Sequence, residues 1–159
     1  MTRGKTNAAR RLDTLRITYT LMPYLLDEAD LSAEHIAVIN DFDVSRLFKT
    51  LVLKGDKTGV IVACLPGDAE LNLKALASAS GNKKVEMVPL KDIQALTGYI
   101  RGGVSPIGLK KPYPVYLDES SLKYPTIMVN AGHKGLLLEL NPIDLMEAVG
   151  ALPVPLIQR

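Results

Sequence analysis

Residues Thr97 to Pro112, in the middle of the chain, cannot be drawn into an ordinary helix or a central strand. They read Thr97-Gly98-Tyr99-Ile100-Arg101-Gly102-Gly103-Val104-Ser105-Pro106-Ile107-Gly108-Leu109-Lys110-Lys111-Pro112, with four glycines, two prolines and three cations in sixteen positions. Glycine weakens helices and strands, and proline brings no amide to a ladder. The flanking segments read as regular structure, so any fold must place a long irregular loop between helices and strands. Two readings stand for that loop. One is a plain connector. The other is a backbone that gives up regularity so that a ligand can approach it closely.

The rest of the chain supplies a frame for such a loop. At 159 residues, with 47% hydrophobic and 23% charged residues, it can bury a core and is not of disordered composition. Residues 1–150 are read as a single domain, and 151–159, interrupted by Pro153 and Pro155, as a loose tail. No apolar run is long enough to span a bilayer, and no apolar segment follows the basic start Met1–Lys5. The expectation is therefore a cytoplasmic protein without a membrane partner. The lone cysteine, Cys64, lies in the apolar run Val60–Leu65, which favours a buried structural thiol over a nucleophile.

Periodicity and punctuation predict helices from Thr6 or Asn7 to Leu15, from Ser32, from Asn72 to Gly81, from Pro89 to Gly98 and from Asn141 to Gly150. Strands are expected over Tyr19–Leu25, with Pro23 marking an edge, and over Val115–Asp118. Leu47–Leu53 and Val60–Leu65 read as a hairpin. Ile127–Val129 and Leu136–Leu140 read as strands paired across the turn Asn130–Gly135. Helices and hairpins alternate without a βαβ rhythm. That predicts an α+β fold, a curved, mixed and mostly antiparallel sheet with helices around it.

The common catalytic signatures are absent. No glycine run ends in Gly-Lys-Ser/Thr, and no dinucleotide fingerprint opens a helix. His35 and His133 have no Cys or His at ligand spacing, so neither metal nor cofactor is expected. Gly103-Val104-Ser105-Pro106 is a poor nucleophile elbow. Ile107 stands where such an elbow needs glycine, and Pro106 has no amide for the oxyanion. A loop of backbone amides that holds a carbonyl or phosphate fits better. Charge is unevenly placed. Arg3, Lys5, Arg10, Arg11 and Arg16 face only Asp13 in the first sixteen residues, whereas residues 17–43 hold six acids and no Lys or Arg. The first segment is either a solvated surface or a patch that meets phosphate.

Lys49 is the second unusual residue. Along Leu47–Leu53, Phe48, Thr50 and Val52 form one face, and Lys49 shares the other with Leu47, Leu51 and Leu53. A cation between two apolar faces either snorkels to solvent or lines a polar cleft. In a cleft it is a fixed positive charge for a carbonyl oxygen or phosphate.

These residues resemble a known family. Phe48-Lys49-Thr50-Leu51, Lys83-Lys84-Val85-Glu86-Met87, Thr97-Gly98-Tyr99, Gly102-Gly103-Val104-Ser105-Pro106-Ile107-Gly108 and the Asn130–Gly135 turn are similar, in order and spacing, to the YbaK/EbsC family. Its members are free-standing relatives of the editing domain inserted in bacterial prolyl-tRNA synthetases. The resemblance covers about residues 5–150. It implies a barrel-like, curved mixed sheet surrounded by helices. It also implies trans-editing, the hydrolysis of a mischarged aminoacyl-tRNA, most characteristically Cys-tRNA(Pro). Cysteine is nearly isosteric with proline, and a hydrophobic pocket separates such pairs poorly.

By this resemblance Lys49 is the catalytic lysine that holds the substrate near its ester. Gly102, Gly103, Val104, Ser105 and Pro106 form the loop that faces the aminoacyl group. Tyr24 and Thr50 lie near the site, and Asn130, Ala131 and Gly132 belong to the substrate pocket. Asn130 and Ala131 depart from the serine and glycine usual there. No general base is evident. In the family the cysteine thiol of the substrate is thought to attack its own carbonyl, with positioning supplying most of the rate. Arg3, Lys5, Arg10 and Arg11 are candidate contacts to the tRNA acceptor end, and a complex with prolyl-tRNA synthetase is implied. The alternatives are an Ala- or Ser-tRNA deacylase of the same superfamily and a non-catalytic tRNA- or nucleotide-binding regulator.

Overall fold

The computed structural model describes residues 5–158, so Arg3, one of the expected tRNA contacts, lies outside the described residues. Single polar side chains start most of the helices. Thr6 caps α1 (Asn7–Thr14), its Oγ1 accepting from the Ala9 amide at 3.1 Å. Ser32 caps α2 (Ala33–Asn40) and Asn72 caps α3 (Leu73–Ser80) in the same way. A 3₁₀ turn at Leu90–Asp92 leads into α4 (Ile93–Thr97), which Gly98 ends at φ +84°. Asn141 accepts from the Ile143 amide at 2.8 Å to start α5 (Pro142–Val149), and Pro142 takes the first position, where its missing amide costs no bond.

The strands are β1 (Tyr19–Pro23), β2 (Phe48–Gly55), β3 (Gly59–Pro66), β4 (Val85–Met87), β5 (Val115–Asp118), β6 (Ile127–His133), β7 (Leu136–Leu140) and β8 (Leu152–Val154). They form one sheet in the order β1-β7-β6 and a second in the order β4-β2-β3-β5-β8. Pairing is antiparallel except at β3–β5 and β5–β8, in agreement with the mixed, mostly antiparallel sheet expected. The two sheets stay open and do not close as a barrel. They meet at a parallel bridge between Leu47 and Met128, beside which the Arg46 carbonyl accepts from the Met128 amide at 2.8 Å. The Arg46 side chain straps this corner, donating to the Thr126 carbonyl at 3.0 Å and to Glu139 Oε2 at 2.7 Å.

Three further elements differ from expectation. The chain beyond Gly150 is not a loose tail. β8 pairs with β5, Leu156 is fully buried, and its amide donates to Asp118 Oδ1 at 2.8 Å. Prolines are tolerated there because β8 is an edge strand. The supposed turn Asn130–Gly135 is mostly strand, because β6 continues to His133 through a bulge after Asn130. β4 was not anticipated and extends the second sheet beyond β2.

The main core lies between the sheets, where Phe48, Cys64, Ile107, Leu117, Val129 and Leu138 pack under Ala8 and Leu12 of α1. Burial pushes the Cys64 thiol up to about 12, so it stays protonated and unreactive, as its apolar run suggests. On the outer side of the second sheet, α3 packs Leu76 and Ala77 against Leu53 and Ile61. Ile36 and Ala37 of α2 cover Leu47, Met128 and Leu137 at the corner. Among the described residues no helix is long and apolar enough to cross a membrane.

Candidate active site

One edge of β2 is paired at both ends and open in between. Pairing to β6 stops at Leu47, and pairing to β4 begins at Leu53. The carbonyls of Arg46 and Val52 both face this edge, accepting from the amides of Met128 at 2.8 Å and Val88 at 3.1 Å. Backbone groups of a strand alternate sides, so Phe48 and Thr50 turn theirs the same way. A cavity of about 300 Å³ opens at the gap, bordered by β2, the start of α2, the β4–α4 segment and the glycine-rich loop. That is the low end of small-molecule sites, about 300–1,000 Å³.

Lys49, Thr50 and Tyr24 all line this cavity. Lys49 is half-buried and does not snorkel freely. Its Nζ donates to the Gly67 carbonyl at 3.3 Å, which leaves two N–H groups for a ligand. Gly67 is tightly placed: an added Cβ would stand 2.6 Å from Ala33 Cβ and 3.2 Å from the Leu47 carbonyl oxygen. Tyr24 is half-buried, and loss of solvent raises its hydroxyl above the usual tyrosine range.

The glycine-rich loop contributes less to the cavity than its sequence suggests. Gly102 and Val104 line it, together with Arg101. The Gly103 amide is occupied, donating to the Ile100 carbonyl at 2.9 Å. Ser105 is fully buried, and its Oγ accepts from the Ile107 amide at 3.2 Å. Pro106 borders a different depression, on the Arg11 side of the loop. Of the three pocket candidates on β6, only Asn130 lines the cavity. Ala131 is a fully buried core residue. Gly132 has φ +97°, and a Cβ there would lie 2.7 Å from Tyr99 Cε1.

Asn130 holds these pieces in register. Its Oδ1 accepts from the amides of Gly132 at 2.7 Å and His133 at 3.1 Å, which closes the β6 bulge. Its Nδ2 donates to the Gly102 carbonyl at 3.0 Å, which ties the bulge to the loop. Tyr99 supports both from below, donating its hydroxyl to the Ile107 carbonyl at 2.6 Å.

The N-terminal cations lie apart from the cavity. Lys5 pairs with Asp13 at 2.7 Å, and Arg10 donates to the Lys5 carbonyl and Asn7 Oδ1, each at 2.6 Å. Arg11 borders the second depression with Lys110 and Lys111, where no acid among the described residues joins them. His35, half-buried on α2, holds Asp27 at 2.9 Å. His133 is exposed at the end of β6.

Sequence reasoning did not anticipate the cavity roles of Arg101, Leu31, Met87 and Leu90. Met87 alone lies in a family-like stretch, Arg101 lies within the Thr97–Pro112 run, and Leu31 and Leu90 carried no signal in the sequence. Taken together, the lining has the seated Lys49, the exposed Arg101, an open strand edge and the residues Tyr24, Ser32 and Thr50, of which Ser32 Oγ caps α2 and Thr50 Oγ1 lies 3.9 Å from Cys64 Sγ. It has no Asp, Glu, His or Cys among the described residues. Such a site can orient a polar, partly anionic ligand. It lacks the usual side chains for general acid–base or thiol chemistry.

Comparison with known proteins gives a consistent result. The family model described as "Aminoacyl-tRNA editing domain" matches residues 27–148. A protein of Enterococcus faecalis provisionally named the Cys-tRNA(Pro)/Cys-tRNA(Cys) deacylase EbsC is 51% identical over 141 residues, covering 89% of this chain and 86% of that protein. A Brachyspira hyodysenteriae proline–tRNA ligase is 32% identical over 91 residues, 54% of this chain and 16% of the ligase. A crystal structure of a protein provisionally described as a trans-editing enzyme for prolyl tRNA synthetase superposes with TM-score 0.81 at 26% identity, covering 98% of this chain and 100% of that one.

Proposed function

The chain belongs to the aminoacyl-tRNA editing domain family, and from that premise we propose that it is a trans-editing deacylase which clears Cys-tRNA(Pro) by substrate-assisted ester cleavage. The observation that carries the reading is the cavity around Lys49, which among the described residues offers a fixed cation and no carboxylate, imidazole or thiol. A site of this kind suits a substrate that brings its own nucleophile.

In the proposed reaction the aminoacyl ester enters with its terminal adenosine. The ammonium of Lys49, seated by the Gly67 carbonyl, and the open edge at Thr50 bind the acyl carbonyl. Both stabilise the negative charge that develops on it. The cysteine sulfur attacks the carbonyl carbon, and the ester C–O bond breaks. The ribose hydroxyl leaves with the thiol proton, and cysteine departs as a cyclic thiolactone. Holding sulfur and carbonyl in one orientation supplies most of the rate. The loop acts through Gly102 and Val104, since the Gly103 amide and the Ser105 hydroxyl are engaged elsewhere. Arg11, Lys110 and Lys111 supply phosphate contacts along the acceptor end. The similarity to a proline–tRNA ligase supports association with that synthetase, in the cytoplasm where aminoacyl-tRNA is used.

Departures from the family pattern at Asn130 and Ala131 would favour the regulator reading. Ala131 fills the core and Asn130 braces the loop, so their departure from the family pattern has structural roles. The test compares deacylation of tRNA(Pro) charged with cysteine, serine, alanine or α-aminobutyrate. The last matches cysteine in size and lacks the thiol. Cysteine is expected to be released at least tenfold faster than α-aminobutyrate. Equal rates would mean that water or a ribose hydroxyl is the nucleophile. Retarded migration of uncharged tRNA without hydrolysis of any ester would support the regulator.

A further inference from the structure

Among the described residues two cations line the cavity, and one of them is engaged within the protein. Lys49 is half-buried and held by Gly67, whereas Arg101 is exposed and has no ion-pair or hydrogen-bond partner among the described residues. Among the described residues no carboxylate lines the cavity to neutralise either of them. Glu28, which comes near the loop, is committed to Lys134 at 3.4 Å, the lysine whose stem packs beside Gly102. We propose that Arg101 is a substrate-binding residue that takes the phosphate on the 5′ side of the terminal adenosine, clamping the acylated end while the ester lies deeper at Lys49.

The inference rests on the deacylase reading and names the part of its substrate that Arg101 meets. Depth separates the two cations. The half-buried lysine suits the uncharged ester, which needs a fixed positive end only as charge develops. The exposed arginine suits a group that keeps its full charge and some of its water. On an aminoacylated 3′ end that group is a phosphodiester, since the amino group of the aminoacyl moiety is itself positive. A guanidinium fork matches two phosphate oxygens at once. Its backbone platform is fixed, because the next residue, Gly102, has its carbonyl pinned by Asn130 at 3.0 Å. Met87 and Leu90, 51% and 63% exposed, border the same cavity and offer an apolar surface for the adenine face.

The test varies the phosphate and the arginine together. Substrates are Cys-tRNA(Pro), the cysteinyl ester of the dinucleotide CpA, and the cysteinyl ester of adenosine, which has no phosphate. Arg101→Ala is expected to raise KM about tenfold for the first two, to leave kcat within about twofold, and to leave the adenosine ester unchanged. Arg101→Lys is expected to restore part of the loss. Binding of an uncharged CCA trinucleotide should lose about 0.7 from its log–log salt slope in Arg101→Ala. An equal loss on all three esters would overturn the proposal and make Arg101 a support for the loop. No loss on any of them would also overturn it. If the wild-type protein hydrolyses none of the esters, the deacylase reading fails. The trinucleotide salt slope, unaffected by that failure, then decides the phosphate contact by itself.

Discussion

Replacing Asn130 by alanine removes three hydrogen bonds at once, and their geometry sets the size of the effect. Two are accepted by Oδ1 from backbone amides, at 2.7 Å and 3.1 Å, and one is donated by Nδ2 to the Gly102 carbonyl at 3.0 Å. At about 1 kcal/mol net for each bond the total is about 3 kcal/mol. Asn130 is half-buried, so water recovers part of this, and the expected loss is about 2 kcal/mol. For a chain of this size that lowers the melting temperature by about 4–8 °C. Asn130→Asp separates the two roles. It keeps the oxygen that closes the β6 bulge and sets a second oxygen against the Gly102 carbonyl. It is expected to cost about 1 kcal/mol in stability yet to lose as much deacylation as Asn130→Ala, because the lost link is the one to the loop. Urea unfolding and deacylation kinetics measure the two quantities separately. An alanine variant within about 0.5 kcal/mol of wild type would refute the brace. An aspartate variant of full activity would refute its coupling to the cavity.

Three further outcomes follow from the packing. Gly132→Ala is expected to destabilise by about 2–4 kcal/mol, because it combines a positive φ with a Cβ 2.7 Å from Tyr99, whereas Gly59→Ala, with φ +78° and open space around it, should cost only about 1 kcal/mol by chemical denaturation. Leu156→Ala is expected to cost about 2–5 kcal/mol, since the side chain is fully buried; near-wild-type stability would mean that the segment after Gly150 is not part of the packed structure. The hydrogen bond from Arg46 holds the Glu139 carboxyl below the usual carboxylate range. Its contribution is therefore complete above the unfolded pKa and disappears as pH falls through the lowered folded value. Glu139→Gln should lower stability at neutral pH and flatten the acid limb of the stability profile, and an unchanged limb would exclude the strap as a source of acid sensitivity.

What was legible in the sequence was local. Thr6, Ser32, Asn72 and Asn141 cap helices through bonds made within three residues, and such chemistry is readable without the fold. Asn130–Gly135 was misread because a β-bulge and a turn draw on the same Asn and Gly residues. The last strand was missed because proline argues against strands in general, yet an edge strand accepts it. The candidate site divides in the same way. Lys49 announced itself as a charge within an apolar strand, which left solvent or a cleft as its place, and the packing around β2 puts it in the cavity. Ser105 and Ala131 lie in a suggestive motif, but tertiary packing draws both into the core. Arg101, Met87 and Leu90 could not be found from composition. Their cavity exists only because β2 loses its neighbour between Leu47 and Leu53, a gap set by strands that are far apart in sequence.

Single-turnover deacylation of Cys-tRNA(Pro), followed with wild-type protein, with Lys49→Ala and with no protein, bears most directly on the account. Lys49→Ala keeps the strand and leaves the Gly67 carbonyl open to water, so its fold is expected to persist and circular dichroism to match wild type. The account predicts that wild-type protein accelerates loss of the ester at least a hundredfold over the spontaneous rate, because Lys49 both orients the carbonyl toward the sulfur and stabilises its developing charge. Lys49→Ala is predicted to return it to within about threefold of that spontaneous rate. A folded Lys49→Ala protein that deacylates as fast as wild type, or a wild-type protein that leaves the spontaneous rate unchanged, would contradict it.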